Sequence, residues 1–444
     1  MPSKRKNRKE PEPLSSIVTS RFIRSAKATV SGAGFAAGLV GDIAQGWLGG
    51  ESSGENRAAE RLAASLGSLK GLMMKVGQMV SYIDTALPPE VRAAMAALQD
   101  SSTPMAPEVV ERVIREELGA PSKKIFAAFE PVPFAAASIG QVHRARLHEG
   151  AEVAVKVQYP EIAAAFKADL SNLAVMQSLS GILFRGMDTR GATAELEQRF
   201  MEECDYRAEA RNQTEFISLY GGRDRIVVPE VYPAFSAGRV ITTQFIAGRR
   251  FADFVANATE SARNQAGELI YRVAFESIFK HALLNCDPHP GNYLFMDDGR
   301  IAFIDFGCVK RFKPAMIDQW RRLIQAALEG DRAGFDSLSM RMGFVGVREG
   351  FDFDYQWKMF HYFYRPLIED RPFRFTDEYV AESFRLLYSN NPNKYKQNIP
   401  ADMMFVNRLQ WGLNSVLAGL NAEFNARRAM LPLLYIDGET PPST

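Results

Sequence analysis

Three polar residues at fixed intervals constrain this chain more than any other feature. In Leu283-Leu284-Asn285-Cys286-Asp287-Pro288-His289-Pro290-Gly291-Asn292-Tyr293-Leu294-Phe295, Asp287 is followed five residues later by Asn292; Phe303-Ile304-Asp305-Phe306-Gly307 places a second Asp thirteen residues further on. Phosphoryl transfer needs such a trio: one carboxylate near the attacking hydroxyl or water, and an amide and a second carboxylate whose oxygens hold Mg²⁺ against phosphates. Leu294-Phe295 and Ile301 to Ile304 flank Asp297-Asp298-Gly299, a hairpin signal, so Asn292 and Asp305 are expected at the ends of two paired strands. A Pro/Gly-rich loop and an ordinary hairpin would explain each piece alone. The two spacings beside one hairpin favour a site.

The rest of the chain limits the chemistry further. With 444 residues, 46% of them hydrophobic, it can bury large cores in two or three domains or lobes. A net charge of +1 gives no basis for a nucleic-acid partner. The three cysteines, Cys204, Cys286 and Cys308, have no metal-binding spacing, and their odd number suits a reducing compartment. Five histidines without zincin spacing argue against a zinc enzyme. The nearest approach to a membrane span, Val30 to Leu48, is interrupted by Asp42, Gln45 and five glycines. The basic run Lys4-Arg5-Lys6-Asn7-Arg8-Lys9 reads as a solvated tail; attraction to an anionic membrane surface is the weaker reading, and Glu10 and Glu12 argue against a transit peptide. The expected location is cytoplasmic, with peripheral membrane attachment and organellar targeting left open.

Leu62, Leu66, Leu69, Met73, Val76, Val80 and Ile83 lay one apolar stripe along a helix. Lys75 and Gln78 share a face of that helix away from most of the stripe, as a solvated pair or as groups reaching one target. Pro107 opens a further helix through Leu118, closed by Gly119. Val142, Arg144 and Arg146, then Val153, Val155 and Val157, alternate with period two, which predicts two strands joined through His148-Glu149-Gly150 with Lys156 facing opposite to the valines. The preceding small-residue loop has Ala135 and Ala137 at the first two places of a glycine-loop spacing, Gly140 at the third and Val142 two later. Alanine restricts positive φ, so a nucleotide would be held differently there.

A helix is expected from Thr193 to about Leu219, with Glu203 and Glu209 as candidate partners for the Lys156 ammonium and with Asp205 and Glu209 on one face. Ile226 to Pro229 and Arg239 to Ile246 read as strands, Phe245 to Gly248 as an interlobe crossing near which adenine would lie, and Glu260 to Leu284 as a long helix. Beyond Asp305 the pattern is mainly helical, over Pro314 to Leu328, Asp331 to Met342, Tyr355 to Ile368, Asp377 to Tyr388 and Met403 to Leu420. The aromatics Trp357, Phe360, Tyr362, Phe363 and Tyr364 read as core.

Taken together, Lys75-Val76-Gly77-Gln78, Ala135-Ala136-Ala137-Ser138, Val155-Lys156, Glu203-Cys204-Asp205, Asp287-Pro288-His289-Pro290-Gly291-Asn292 and Asp305-Phe306-Gly307 resemble the UbiB (AarF-like) family of atypical kinases. The resemblance implies an α+β, bilobal protein-kinase-like fold with a helical N-terminal extension and a mainly helical C-terminal lobe. It implies Asp287 as catalytic acid-base, Asn292 and Asp305 as Mg²⁺ ligands, and Lys156 on the phosphates of ATP or ADP with Glu209 as its better partner. Glu203 and Asp205 would sit by a covering helix that bears Lys75 and Gln78. Ala135, Ala136, Ala137, Ser138, Gly140 and Val142 would cover the nucleotide. Asn285 stands where such proteins often carry His. The domain boundaries expected are 1–55 for a basic, loosely helical tail, 56–130 for the extension, 131–248 for the N-lobe with inserted helices, 249–437 for the C-lobe and 438–444 for a disordered tail.

The activity implied is that of a Mg²⁺-dependent atypical kinase or ATPase supporting isoprenoid-quinone or membrane-lipid metabolism. Its implied partners are nucleotide, an isoprenoid lipid or membrane surface, and proteins of quinone biosynthesis. The alternative is a pseudokinase that binds nucleotide and switches its affinity for a lipid or protein without turnover. A conventional protein kinase is disfavoured, because no Ala-Pro-Glu motif follows Asp305 and helix resumes at Pro314.

Overall fold

The computed structural model describes residues 104–137, 139–164, 201, 203–436 and 438–442. Lys75, Gln78, Ser138 and the expected 1–55 segment lie outside them.

The N-lobe is an antiparallel sheet backed by helices. Helix α1 (Pro107–Leu118) begins at a proline, whose missing N–H costs nothing in a first turn, and ends at Gly119 with φ 77°, a left-handed conformation suited to glycine. A short helix α2 (Ser122–Ile125) leads to strands β1 (Ala128–Phe129), β2 (Ala135–Ala137), β3 (Gly140–Arg146) and β4 (Glu152–Gln158). Both β1 and β2 pair with β3, which pairs with β4, and β4 with β6 (Val240–Gln244). Period-two patterning acts as expected on β4: Val153, Val155 and Val157 are fully buried and Lys156 lies on the other face.

Those valines pack against Val110, Val113 and Ile114 of α1, with Phe126 and Val240 completing the cluster. Each buried valine contributes roughly 1.5–3 kcal/mol. Residues of the expected extension, from Pro107 to Phe129, thus supply one wall of the N-lobe core and its edge strand β1. Amphipathicity showed that α1 buries a face but not what covers it. The expected small-residue loop is corrected. Ala135 to Ala137 form a strand, with Ala137 opposite Gly140, and none of the three has positive φ, so alanine fits the pleat without strain.

Helix α3 (Tyr206–Tyr220) follows, and here the expected continuous helix breaks. Residue 205 is extended, and the Asp205 carboxylate accepts the Arg207 N–H at 3.0 Å as an N-cap, so Asp205 shares no helix face with Glu209. Strand β5 (Ile226–Val227) then precedes β6. Past Phe245 to Gly248, the backbones of Arg249 and Phe295 exchange hydrogen bonds of 2.8 and 2.9 Å, which pins the crossing to the C-lobe.

The C-lobe is built around helix α5 (Glu260–His281), preceded by α4 (Phe251–Asn257). Thr259 caps α5 and Ala282, with φ 52°, stops it; Leu283 and Leu284, expected in the helix, belong to strand β7 (Leu283–Asn285). A turn at Pro290–Asn292 leads to the expected hairpin of β8 (Tyr293–Phe295) and β9 (Ile301–Phe303), closed at Gly299 with φ 83°. Strand β10 (Val309–Arg311) returns antiparallel to β7. Helices α6 (Pro314–Glu329), α7 (Arg332–Arg341), α8 (Phe353–Phe363), α9 (Arg365–Ile368), α10 (Asp377–Phe384), α11 (Ala401–Gly419) and α12 (Ala426–Leu434) complete the lobe, with a two-stranded ladder of β11 (Phe373–Arg374) and β12 (Glu423–Phe424). Phe360 is buried, and Trp357, Tyr362, Phe363 and Tyr364 pack against the same core, as their helical spacing implied. Within the expected tail, Glu439 and Pro442 accept hydrogen bonds from Gln325 and Arg427. Among the described residues, no helix is long and apolar enough to cross a membrane.

Candidate functional site

The site lies where β4, α3 and the β7 to β10 segment meet. On β4, Lys156 projects from the face opposite the valine core, and its Nζ lies 2.8 Å from Oε1 and 3.0 Å from Oε2 of Glu209, one turn into α3. Asp305 Oδ2 approaches the same ammonium at 3.4 Å. Side-chain exposure is 14% for Lys156 and 3% for Glu209, so the pair is shielded from solvent competition. Burial on its own would lower the Lys156 pKa, but Asp305 and Glu209 outweigh it and hold the ammonium well above its ordinary range. Burial raises Glu209, Lys156 pulls it down and Asp305 raises it again, leaving it at about 7. Of the two candidate acids, Glu209 therefore pairs with Lys156. Glu203 is buried nearby, its Cγ 3.4 Å from where a side chain at Gly307 would begin.

Helix α3 is locked to the segment after β9. Phe306 is buried against Phe216 of α3, ring centroids 4.9 Å apart, and Asn212 Nδ2 donates to the Phe306 carbonyl at 3.0 Å. Arg311 donates in turn to Asn212 and Glu215. These contacts fix Glu209 and Asp305 relative to each other.

The expected trio converges. Asn292 Nδ2 donates to the Asp287 carbonyl at 2.8 Å and to its carboxylate at 3.2 Å, and Ile304 N donates to Asn292 O across the hairpin at 3.1 Å. Asp305 Oδ1 accepts the Gly307 N–H at 3.0 Å. The side-chain oxygens of Asn292 and Asp305 are hard donors of the kind Mg²⁺ takes, and the Asn292 amide, by donating to Asp287, keeps its oxygen end for a cation. The donor set fits the metal.

Asn285, which stands where such proteins often carry His, bridges the two acids. Its Nδ2 donates to the Asp305 carbonyl at 2.8 Å and its Oδ1 accepts the Asp287 N–H at 3.1 Å, so one side chain holds both acids. The Asn-x-Asp spacing was the available signal, since Asn commonly accepts from the N–H two residues on. Asn212 and Tyr206 carried no such local signal. Of the residues expected to cover a nucleotide, Ala135, Ala136, Ala137, Gly140 and Val142 lie in the β2–β3 hairpin, with Val142 directly opposite Lys156 in the ladder.

Residues 97–339 match the family model of the ABC1 atypical kinase-like domain. The chain is 31% identical to the mitochondrial atypical kinase COQ8 of Saccharomyces cerevisiae over 74% of its own length and 68% of the yeast protein. It is 29% identical to the mitochondrial atypical kinase COQ8B of Danio rerio, over 71% of this chain and 53% of that protein. The chain thus spans about half the length of several curated relatives it matches. The solved erythromycin complex of Rv3197 from Mycobacterium tuberculosis is 30% identical, with a TM-score of 0.63, and the match covers 87% of this chain and 97% of that one. The bilobal kinase-like α+β architecture and these matches lead to one assignment: the chain belongs to the ABC1 (UbiB/AarF-type) family of atypical kinases.

Proposed function

We propose that this chain is a Mg²⁺-dependent, ATP-binding atypical kinase or ATPase whose turnover supports isoprenoid-quinone or membrane-lipid metabolism. The observation that carries the reading is the Lys156 ammonium held by Glu209 at 2.8 Å and by Asp305 at 3.4 Å, beside the Asp287–Asn292 pair. A lysine so placed binds phosphate oxygens as a point charge, while Asp287 accepts a proton from the attacking hydroxyl or water. Mg²⁺, held by Asn292 and Asp305, would supply charge neutralisation on the transferring phosphoryl group. The quinone link is drawn from the COQ8 relatives, and because those relatives are mitochondrial an organelle is a compartment to test.

A nucleotide-switched binding module is the second reading. It is favoured by the alanine strand Ala135–Ala137 in place of a flexible glycine loop, and by the short path from Asp305 to Pro314, three residues of which form β10. That path leaves little chain for a protein-substrate platform.

ATP turnover by purified protein with Mg²⁺, with and without liposomes and beside an equally folded Asp305→Asn variant, separates the two. Turnover lost in the variant supports the enzyme. Nucleotide binding without turnover overturns it in favour of the switch.

A further inference from the structure

Tyr206 opens α3 and is fully buried, yet its hydroxyl has no hydrogen-bond partner among the described residues. An orphaned buried hydroxyl costs roughly 1–3 kcal/mol, and few native side chains carry that cost without a use. The surroundings of this one are specific. Its ring lies 5.1 Å from Lys156 Nζ. A Cβ built on Gly140 would sit 2.9 Å from the Tyr206 oxygen. Val142 is opposite Lys156 in the β3–β4 register, so Gly140, two residues before Val142, faces the same side of the sheet as the lysine. The ring thus lies against the ammonium and the hydroxyl against Gly140 at the base of the β2–β3 turn, on the face where Lys156 meets Glu209 and Asp305. Burial, reinforced by Glu209, Asp305 and Glu203 against the pull of Lys156, pushes its pKa far up, so it keeps its proton and remains a donor.

We propose that Tyr206 is a nucleotide-binding residue whose hydroxyl, without a partner among the described residues, donates to a phosphate oxygen of the bound nucleotide beside Lys156. The Tyr206 backbone is fixed for this task, since its N–H donates to the Gly238 carbonyl at 3.0 Å. Gly140 is then glycine for a steric reason as well: a side chain there would meet the Val157 carbonyl at 2.3 Å and displace the tyrosine oxygen. This contact presupposes the nucleotide site proposed above.

The test is Tyr206→Phe, which keeps the ring and removes the donor. Thermal unfolding without ligand and calorimetric binding of ADP and of adenosine are measured for wild type and variant. The expected result is an unliganded Tm equal to or above wild type, ADP affinity lower by about ten- to hundredfold, and adenosine affinity unchanged. A lower unliganded Tm would show that the hydroxyl already has a partner and would overturn the proposal, as would unchanged ADP affinity or an equal loss for adenosine. Wild-type protein that binds no ADP would instead defeat the nucleotide-site reading itself. A Gly140→Ala variant, which presses on the same oxygen, is expected to lose ADP affinity in parallel; wild-type affinity there would count against the placement.

Discussion

Asn285 holds Asp305 by a 2.8 Å hydrogen bond from its Nδ2 to the aspartate carbonyl, twenty residues along the chain. The same side chain accepts the Asp287 N–H, so the distance between the two acids is set by a residue that takes no charge itself. Removing it frees two backbone groups at once. Asn285→Ala is expected to cost about 1–3 kcal/mol of stability and to lower kcat by tenfold or more, because small displacements of reacting groups are expensive. ADP affinity should change little. Steady-state kinetics beside urea unfolding checks this; wild-type kcat in a destabilised variant would reduce Asn285 to a structural tie.

The Lys156–Glu209 pair predicts a different pattern. Glu209→Ala leaves a shielded ammonium with Asp305 alone, and loss of one partner of a buried pair costs about 3–5 kcal/mol. Lys156→Ala should weaken nucleotide binding by at least tenfold, about the worth of a charge-assisted contact. A double-mutant cycle on unfolding free energy should show coupling between the two positions, and additive losses would mean that the 2.8 Å contact contributes nothing in solution.

His143 should make stability fall in mild acid. It is fully buried, donates from Nδ1 to the Glu130 carbonyl at 2.8 Å and lies 2.9 Å from Gln141 Nε2, an arrangement that requires a neutral ring. Burial lowers its pKa below the usual 6.5, against the Glu130 bond that raises it. The unfolded chain therefore binds the proton more readily, so the contribution is complete above about pH 6.5 and is lost as pH falls through the folded value. His281 and His361 shift the same way. Tm should drop between pH 7 and pH 5, and His143→Asn should flatten that dependence in part; an identical slope in the variant would assign the effect to the other two rings.

Asp205 is expected to act as a cap. Asp205→Ala should lower stability by about 1 kcal/mol, while Asp205→Asn, which can still accept the Arg207 N–H, should retain it. Equal destabilisation by both substitutions would mean that the carboxylate charge, with Arg211 at 3.7 Å, matters more than the cap.

Much of this was legible where the deciding forces are local. Pro107 and Gly119 bounded α1, alternation placed Lys156 opposite the valines, and Gly299 closed the hairpin that carries Asn292 and leads to Asp305. Each rests on backbone preferences acting over a few residues. The paired strands β7 and β10 were missed because three residues apiece give no periodicity, and Leu283-Leu284 continued the apolar pattern of α5. The break at Asp205 was missed because a capping residue inside a long polar and apolar alternation resembles a helical one until its backbone angle is known.

The sequence by itself singled out candidate residues for the chemistry and the face from which Lys156 projects, because side-chain type and period-two spacing act locally. Only the tertiary structure decided that Glu209 pairs with Lys156 across 53 residues, that Asn285 ties Asp287 to Asp305, and that the Tyr206 hydroxyl is buried without a partner among the described residues. Those outcomes depend on which groups burial brings together and which it deprives of water. No short-range rule carries that information, since the same Glu, Asn or Tyr on an exposed helix or turn would be satisfied by solvent.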